Sequence, residues 1–379
     1  MVASARRFLG NLALAFVALA CVFAVGEAVV RLLYKNETVL FPRYHTDYRY
    51  ARYTIRGIRP HTEFWHTSVD GSWKFITNNR GFRNTQDFSY AKPANTLRVL
   101  SIGDSHTQGY EVHQERTFSA VLERYLIHHG LAAEVINAGV SGFSTAEALV
   151  FLENEGVNYS PDVVIIGFFA NDFEDNLKSG LFSLDGEGRL HEDKFEHLPG
   201  VRIQNIIYSI PPIRWLGENS YFYSILFNSI WVYFKEGLAE RANEKAGGTE
   251  PRTVAASDFE YAIPTTSARS AYEIALAAAL LERMNSICKN RGIRFIVVDI
   301  PDRRGPRLHA SSLPPQLTKQ LKTSGIELLS SQMLFRDLNG AVDLFVPHGH
   351  GHISELSHAL IGVELGRRLL ATRHGTVLQ

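Results

Sequence analysis

The chain has almost nothing from which to build a covalently stapled fold, with two cysteines in 379 residues. Cys21 lies inside an apolar run and Cys288 far from it, so neither a disulfide framework nor a cysteine metal site can be assembled. Net charge is missing as well. Thirty-nine Lys and Arg balance 39 Asp and Glu, which leaves no field to draw in nucleic acid. No internal repeat or low-complexity tract stands out. With 45% hydrophobic and 21% charged residues, the composition is that of a packed globular protein and excludes disorder.

What is present begins at the N-terminus. Arg6 and Arg7 precede an apolar run over 8–30, interrupted only by Asn11 and Glu27. That run is long enough to cross a hydrocarbon core as a helix and exceeds a signal-peptide apolar region. Ala18-Leu19-Ala20-Cys21 resembles a lipoprotein cleavage box, but the apolar run continues past Cys21, which fits an uncleaved single-pass anchor better. A helix buried in a soluble body is the alternative. Arg31 and Lys35 flank the far side and weaken the positive-inside argument. The expectation is an inner-membrane protein whose body is extracytoplasmic (periplasmic).

Residues 31–96 read as a linker and a small β-rich lead-in. Trp73 to Thr77 alternate like a half-buried strand, and Asn78-Asn79-Arg80-Gly81 reads as a turn. From 97 to 372 short apolar runs at 97–102, 135–136, 163–169, 295–300 and 326–329 alternate with helical periodicities. Phe118, Val121, Leu122, Tyr125 and Leu126 form one helical stripe, Ser144 and Glu147 have capping-box spacing, and a third helix spans about 271–288. Continuous apolar strands alternating with helices predict a parallel sheet covered on both faces, a three-layer α/β/α sandwich. An insertion over about 177–266 interrupts the alternation. Its aromatics, including Trp231, Tyr233 and Phe234, read as a helical insertion packed on the core, or as a lid near the membrane surface.

Ligands of open parallel sheets bind at the carboxyl ends of the strands, and polar motifs follow the apolar runs here. Gly103-Asp104-Ser105 ends the first run; Asn137-Ala138-Gly139 and then Gly142 follow the second; Asn171-Asp172 follow the third. His348-Gly349-His350-Gly351-His352 stands ahead of the last amphipathic helix. A serine hydroxyl becomes a competent nucleophile when an adjacent histidine accepts its proton. The backbone N–H groups of Ser105 and Gly142 and the Asn171 side-chain amide are three candidate donors to a tetrahedral oxyanion.

The order Gly103-Asp104-Ser105, Gly142, Asn171-Asp172, His352 resembles the four blocks of the SGNH (GDSL-like) hydrolase superfamily. The flanking residues 98–109 and 171–176 match too, and Asn79-Arg80-Gly81-Phe82-Arg83 is similar to a segment upstream of this domain in bacterial membrane-anchored members. The resemblance covers about 78–372 without the insertion. It implies a flavodoxin-like fold and a serine esterase or acyl hydrolase working through an acyl-enzyme. Ser105 would be the nucleophile, His352 the general base, and Gly142 and Asn171 would complete the oxyanion hole. No cofactor or metal is implied. The substrate would be an acyl ester, as a small molecule or on a surface glycan or lipid. O-acyl transfer from the same site and a catalytically silent envelope scaffold are the rival readings.

One departure stands out. The family places an Asp two or three residues before the catalytic His, where this chain has His350 and Gly349. The orienting group is then Asp343, a backbone carbonyl, or nothing beyond a dyad, with His350 as the fallback base. His348, His350 and His352 in an extended segment would share one face and offer a metal pair instead. His106 is expected at the pocket entrance or in solvent, and His358 as a structural residue of the last helix.

Overall fold

A computed structural model of the chain describes residues 2–42, 44–195, 206–227, 229–230, 271–349 and 351–373. It opens with α1 (Val2–Leu33), whose stretch Arg6–Leu33 is apolar and long enough to cross a membrane. At 1.5 Å per residue those 28 residues reach about 42 Å, more than a hydrocarbon core of about 30 Å requires. Glu27 is not left in an apolar setting. Its carboxylate accepts from the Ser220 hydroxyl at 2.7 Å, the Phe222 and Tyr221 N–H groups at 2.9 and 3.2 Å, and Arg31 at 2.6 Å. It thereby caps a helix over 221–227 and satisfies N–H groups that a helix start leaves open. Phe23 meets the edge of Phe222, with ring centroids 5.3 Å apart.

Two antiparallel hairpins follow, β1 (His45–Tyr50) with β2 (Tyr53–Ile58) and β3 (Glu63–Ser68) with β4 (Gly71–Ile76). The second includes the alternating stretch anticipated around Trp73: Trp73 and Phe75 are buried while Ser72 and Lys74 face solvent. The main sheet is built from β5 (Leu97–Gly103), β6 (Ala133–Asn137), β7 (Val163–Phe168), β10 (Arg294–Asp299) and β13 (Glu327–Leu329). All its pairings are parallel, in the order β13-β10-β7-β5-β6. Between β7 and β10 lies the small hairpin β8 (Phe182–Leu184) and β9 (Leu190–Glu192), and after β10 the hairpin β11 (Pro301–Gly305) and β12 (Leu308–Ser311).

Each central strand divides its side chains between two cores. Val99, Val163, Ile165 and Val298 join one cluster with Phe118, Leu122, Ile361 and Leu365. Leu100, Val164, Ile166 and Val297 join another with Leu149, Leu280, Leu281 and Leu317. Strands with both faces apolar need helices on both sides. Besides a single turn at Ser331–Leu334, the helices after α1 are α2 (Ser105–Gln108), α3 (Phe118–His128), α4 (Thr145–Asn154), α5 (Asp172–Ser179), α6 (Pro211–Asn219), α7 (221–227), α8 (Ala271–Lys289), α9 (Pro315–Thr323) and α10 (Glu355–Arg373) among the described residues. Of these, α3 and α10 cover one face, and α4, α8 and α9 the other.

The capping box of α4 forms in full: Glu147 N–H donates to the Ser144 hydroxyl at 3.3 Å, and the Glu147 carboxylate accepts from Ser144 N–H at 2.9 Å. The described part of the insertion is not purely helical. It contains β8–β9 besides α6 and α7, while Trp231, Tyr233 and Phe234 lie outside the described residues. Among its described aromatics Tyr208 and Tyr221 are buried, but Trp215 is 63% exposed.

Candidate active site

The first polar motif sits where β5 runs into α2. Gly103 takes a φ of +143°, and a Cβ there would lie 2.9 Å from the Gly167 carbonyl of β7, so only glycine lets the strand turn against its neighbour. Asp104 caps α2 by accepting from His106 N–H at 2.9 Å. The loop after β6 then crosses the back of α2. Val140 N–H donates to the Gly103 carbonyl at 3.0 Å, and a Cβ on Gly139 would fall 2.8 Å from the Thr107 carbonyl carbon. Gly142 turns at φ +76°.

These turns leave Ser105 4% exposed, with its Oγ 2.8 Å from His352 Nε2. The other ring nitrogen, Nδ1, lies 2.7 Å from the Gly349 carbonyl. A carbonyl only accepts, so Nδ1 carries the hydrogen and Nε2 presents its lone pair to the hydroxyl. The ring is also held by its faces. Tyr110 stacks at 4.3 Å and His106 at 4.7 Å between centroids.

The segment leading to His352 is not extended. It folds into a tight loop in which His352 N–H donates to the Gly349 carbonyl, Val346 N–H donates to the His352 carbonyl, and Phe345 bridges Ile353. Gly351, at φ +86°, permits the turn. His348 and His352 therefore do not share the expected face. His348 turns outward to Asp70 at 2.7 Å while His352 turns to Ser105, and His350 lies outside the described residues.

Asp343 does not orient His352; it faces Arg303 at 3.5 Å and accepts from Phe345 N–H at 3.1 Å. His106 is not solvated either. It is 2% exposed, packed at 4.1 Å against Phe169, and burial holds it neutral, well below the ordinary imidazole range. His358 is fully buried on α10, where its Nδ1 accepts from Phe118 N–H at 3.1 Å.

Asn171 begins α5, and one of its amide N–H groups donates to Asp175 at 3.0 Å. The next residues tie α5 to α4: Asp172 accepts from the Thr145 hydroxyl at 2.8 Å and from Phe169 N–H at 2.9 Å, and Asn176 accepts from Ala146 N–H at 2.9 Å. Burial pushes the Asp104 and Asp172 carboxyls above the usual carboxylate range, and the Asp104 charge adds to the push on Asp172. Neither Ser105 N–H nor Gly142 N–H donates to any described residue, so both are available to a ligand. A cavity of about 860 Å³ beside the carboxyl ends of β10 and β13 reaches Ala170, next to Asn171, and is rimmed by Asp302, Arg304, Ser311 and Lys319.

Three contributors were not legible as site residues. Arg83, buried at 3% exposure, donates to the carbonyls of Gln108 at 2.9 Å and Val112 at 2.6 Å and to that of Gly109, clamping the loop that carries Tyr110 and Glu111. Tyr110 stacks on the imidazole, and the Gly349 carbonyl orients it. A signal existed only for Arg83, in the upstream segment 79–83.

Residues 101–222 match the model of the GDSL-like Lipase/Acylhydrolase family. An arylesterase of Vibrio mimicus is 35% identical over 75 residues, 20% of this chain and 38% of that protein, so the chain spans well under half the length of the curated relative it matches. Among solved structures, a lipase/acylhydrolase from Enterococcus faecalis aligns at 16% identity over 73% of this chain and 96% of its own, with a TM-score of 0.39. A psychrotrophic esterase from Pseudoalteromonas aligns at 15% over 74% and 99%, with a TM-score of 0.38. TM-scores of this size carry no conclusion about activity.

Proposed function

Because the chain carries a GDSL-like lipase/acylhydrolase domain, we propose that it is a serine esterase, held at a membrane by α1, that cleaves ester-linked acyl groups through an acyl-enzyme on Ser105. The observation that carries this reading is the relay of two short contacts, Ser105 Oγ to His352 Nε2 at 2.8 Å and His352 Nδ1 to the Gly349 carbonyl at 2.7 Å.

The chemistry follows from that relay. As Ser105 Oγ bonds to the ester carbonyl carbon, its proton passes to His352 Nε2. The carbonyl oxygen becomes an oxyanion, for which Ser105 N–H, Gly142 N–H and the Asn171 side-chain amide, turned from its carboxylate partners, are the proposed donors. The imidazolium then gives its proton to the departing alkoxide, the carbon–oxygen bond breaks, and an acyl-serine remains. Water deprotonated by the same imidazole attacks that acyl group, and as the bond to Ser105 Oγ breaks the imidazolium returns the proton to Oγ and the acid leaves. A hydroxyl acceptor in place of water would give O-acyl transfer from the same intermediate. Burial of Ser105 and the stacking of Tyr110 and His106 fix the imidazole before substrate arrives, which lowers the entropic cost of reaching the transition state.

The contact of Glu27 and Phe23 with residues 220–222 supports an α1 that stays with the body as a single-pass anchor. We place the body on the extracytoplasmic side, with Arg6 and Arg7 ahead of the span on the other.

Turnover of p-nitrophenyl acetate by the full chain in detergent tests the enzymatic reading. Wild type should hydrolyse it, and Ser105→Ala and His352→Gln should each fall to background. Activity surviving in folded Ser105→Ala would reject the assignment. Carbonate extraction of membranes tests the anchor, with release into the soluble fraction counting against it.

A further inference from the structure

Six residues after Ser105, the loop clamped by Arg83 buries a carboxylate that the mechanism above does not use. The Glu111 side chain is fully buried, and among the described residues no Arg or Lys pairs with it. Its backbone takes a φ of +55°, a conformation unfavourable for a non-glycine residue that persists where surrounding structure enforces it. A buried acid that no Arg or Lys balances is expensive, so its position calls for a reason.

The surroundings supply one. Gly349, whose carbonyl holds His352 Nδ1, packs so closely on Glu111 that a Cβ there would overlap Glu111 Oε2. Tyr110, the preceding residue, stacks on the His352 ring at 4.3 Å. The other groups facing Glu111 are His66 of β3, with Nε2 3.7 Å from Oε1, Ser68 and Asp70 around the β3–β4 turn, and His348 from the C-terminal loop. Burial keeps His66 neutral, so it does not neutralise the carboxylate.

We propose that Glu111 is the positioning acid of this site: packed against Gly349, it holds the Gly349–His352 loop in place and supplies the negative charge that balances the imidazolium. It replaces, from the loop after α2, the acid absent from the residues just before His352. The inference rests on the serine-esterase reading above. During acylation the proton moves only from Ser105 Oγ to His352 Nε2 and on to the leaving alkoxide; Glu111 neither gains nor loses one. Burial, reinforced by Asp70 and opposed by Ser68 and His348, pushes the Glu111 carboxyl up to about 7, so the charge is fully present only at alkaline pH.

The test is Glu111→Gln in the full chain, which keeps the shape and removes the charge. With p-nitrophenyl acetate, kcat should fall about 10²-fold and KM should change less than about twofold, because the loss falls on the charged state and not on binding. The acid limb of kcat/KM should move to lower pH, since an imidazolium without a nearby anion releases its proton more easily. Glu111→Asp should recover part of kcat. A folded Glu111→Gln with wild-type kcat and an unmoved acid limb overturns the proposal and leaves the esterase reading standing. If Glu111→Gln does not fold, Glu111→Asn, which also removes the charge, carries the test, and wild-type kcat with an unchanged pH profile overturns it. Wild type that neither turns over ester nor reacts with a fluorophosphonate removes both.

Discussion

Gly139→Ala offers a sharp structural test, because one added methyl meets backbone and not a side chain that can swing aside. The new Cβ would sit 2.8 Å from the Thr107 carbonyl carbon and 2.9 Å from Gln108 Cα, against a comfortable separation of about 3.5–4.0 Å. Relief requires α2 and the loop after β6 to part by roughly 1 Å. Overpacking of this kind costs about 1–3 kcal/mol of stability. The larger effect falls on catalysis, since α2 carries Ser105 while His352 is held from the other end of the chain, and a misplacement of about 1 Å can cost about 10²-fold in rate. The assay pairs thermal melting with the pseudo-first-order rate of fluorophosphonate labelling, using Gly186→Ala as control, since nothing lies within 4 Å of a Cβ there. Gly139→Ala that melts and labels like wild type would refute the claim that this crossing sets the position of the nucleophile.

Further outcomes follow from the same geometry. Asn171→Ala should lower kcat about 10²–10³-fold, as for one lost oxyanion donor, with the melting temperature showing whether the Asp175 contact matters to the fold; unchanged turnover would remove Asn171 from the site. Asp343→Asn should leave kcat within about twofold, because Asp343 faces Arg303 and not the imidazole; a large loss would reinstate it as the orienting acid. Glu111 predicts a pH signature in stability. Its folded pKa of about 7 lies above the ordinary glutamate value of 4.5, so the folded state binds the proton more tightly and wild type loses stability as pH rises between those two values. The loss approaches roughly 3 kcal/mol as an upper figure. Glu111→Gln should therefore gain on wild type in denaturant midpoint at pH 8 and not at pH 4; a variant that is uniformly less stable contradicts this.

The central sheet was readable because both-face burial makes strands such as 97–102 and 163–169 continuously apolar, and the α4 cap because its two residues are three apart. Ser105 stood out at the end of the first apolar run and His352 through the family resemblance, and the structure brings their side chains to 2.8 Å. What the sequence hid depends on contacts between distant segments. The charged run Pro301-Asp302-Arg303-Arg304-Gly305 gives no alternation, yet it pairs as β11. His106 and Glu111 are polar residues beside turns, where exposure is the ordinary expectation; Phe169 and the His352 ring bury the first, and the β3–β4 hairpin with the C-terminal loop buries the second. The group orienting His352 is a backbone carbonyl, and no side-chain pattern announces one.

Intact-mass spectrometry of the full chain after exposure to a fluorophosphonate addresses the main claim most directly. A single phosphonyl adduct mapping to Ser105, absent from folded Ser105→Ala and strongly slowed in His352→Gln, is the predicted result. Folded wild type that stays unmodified, or an adduct of equal yield in Ser105→Ala, would contradict it.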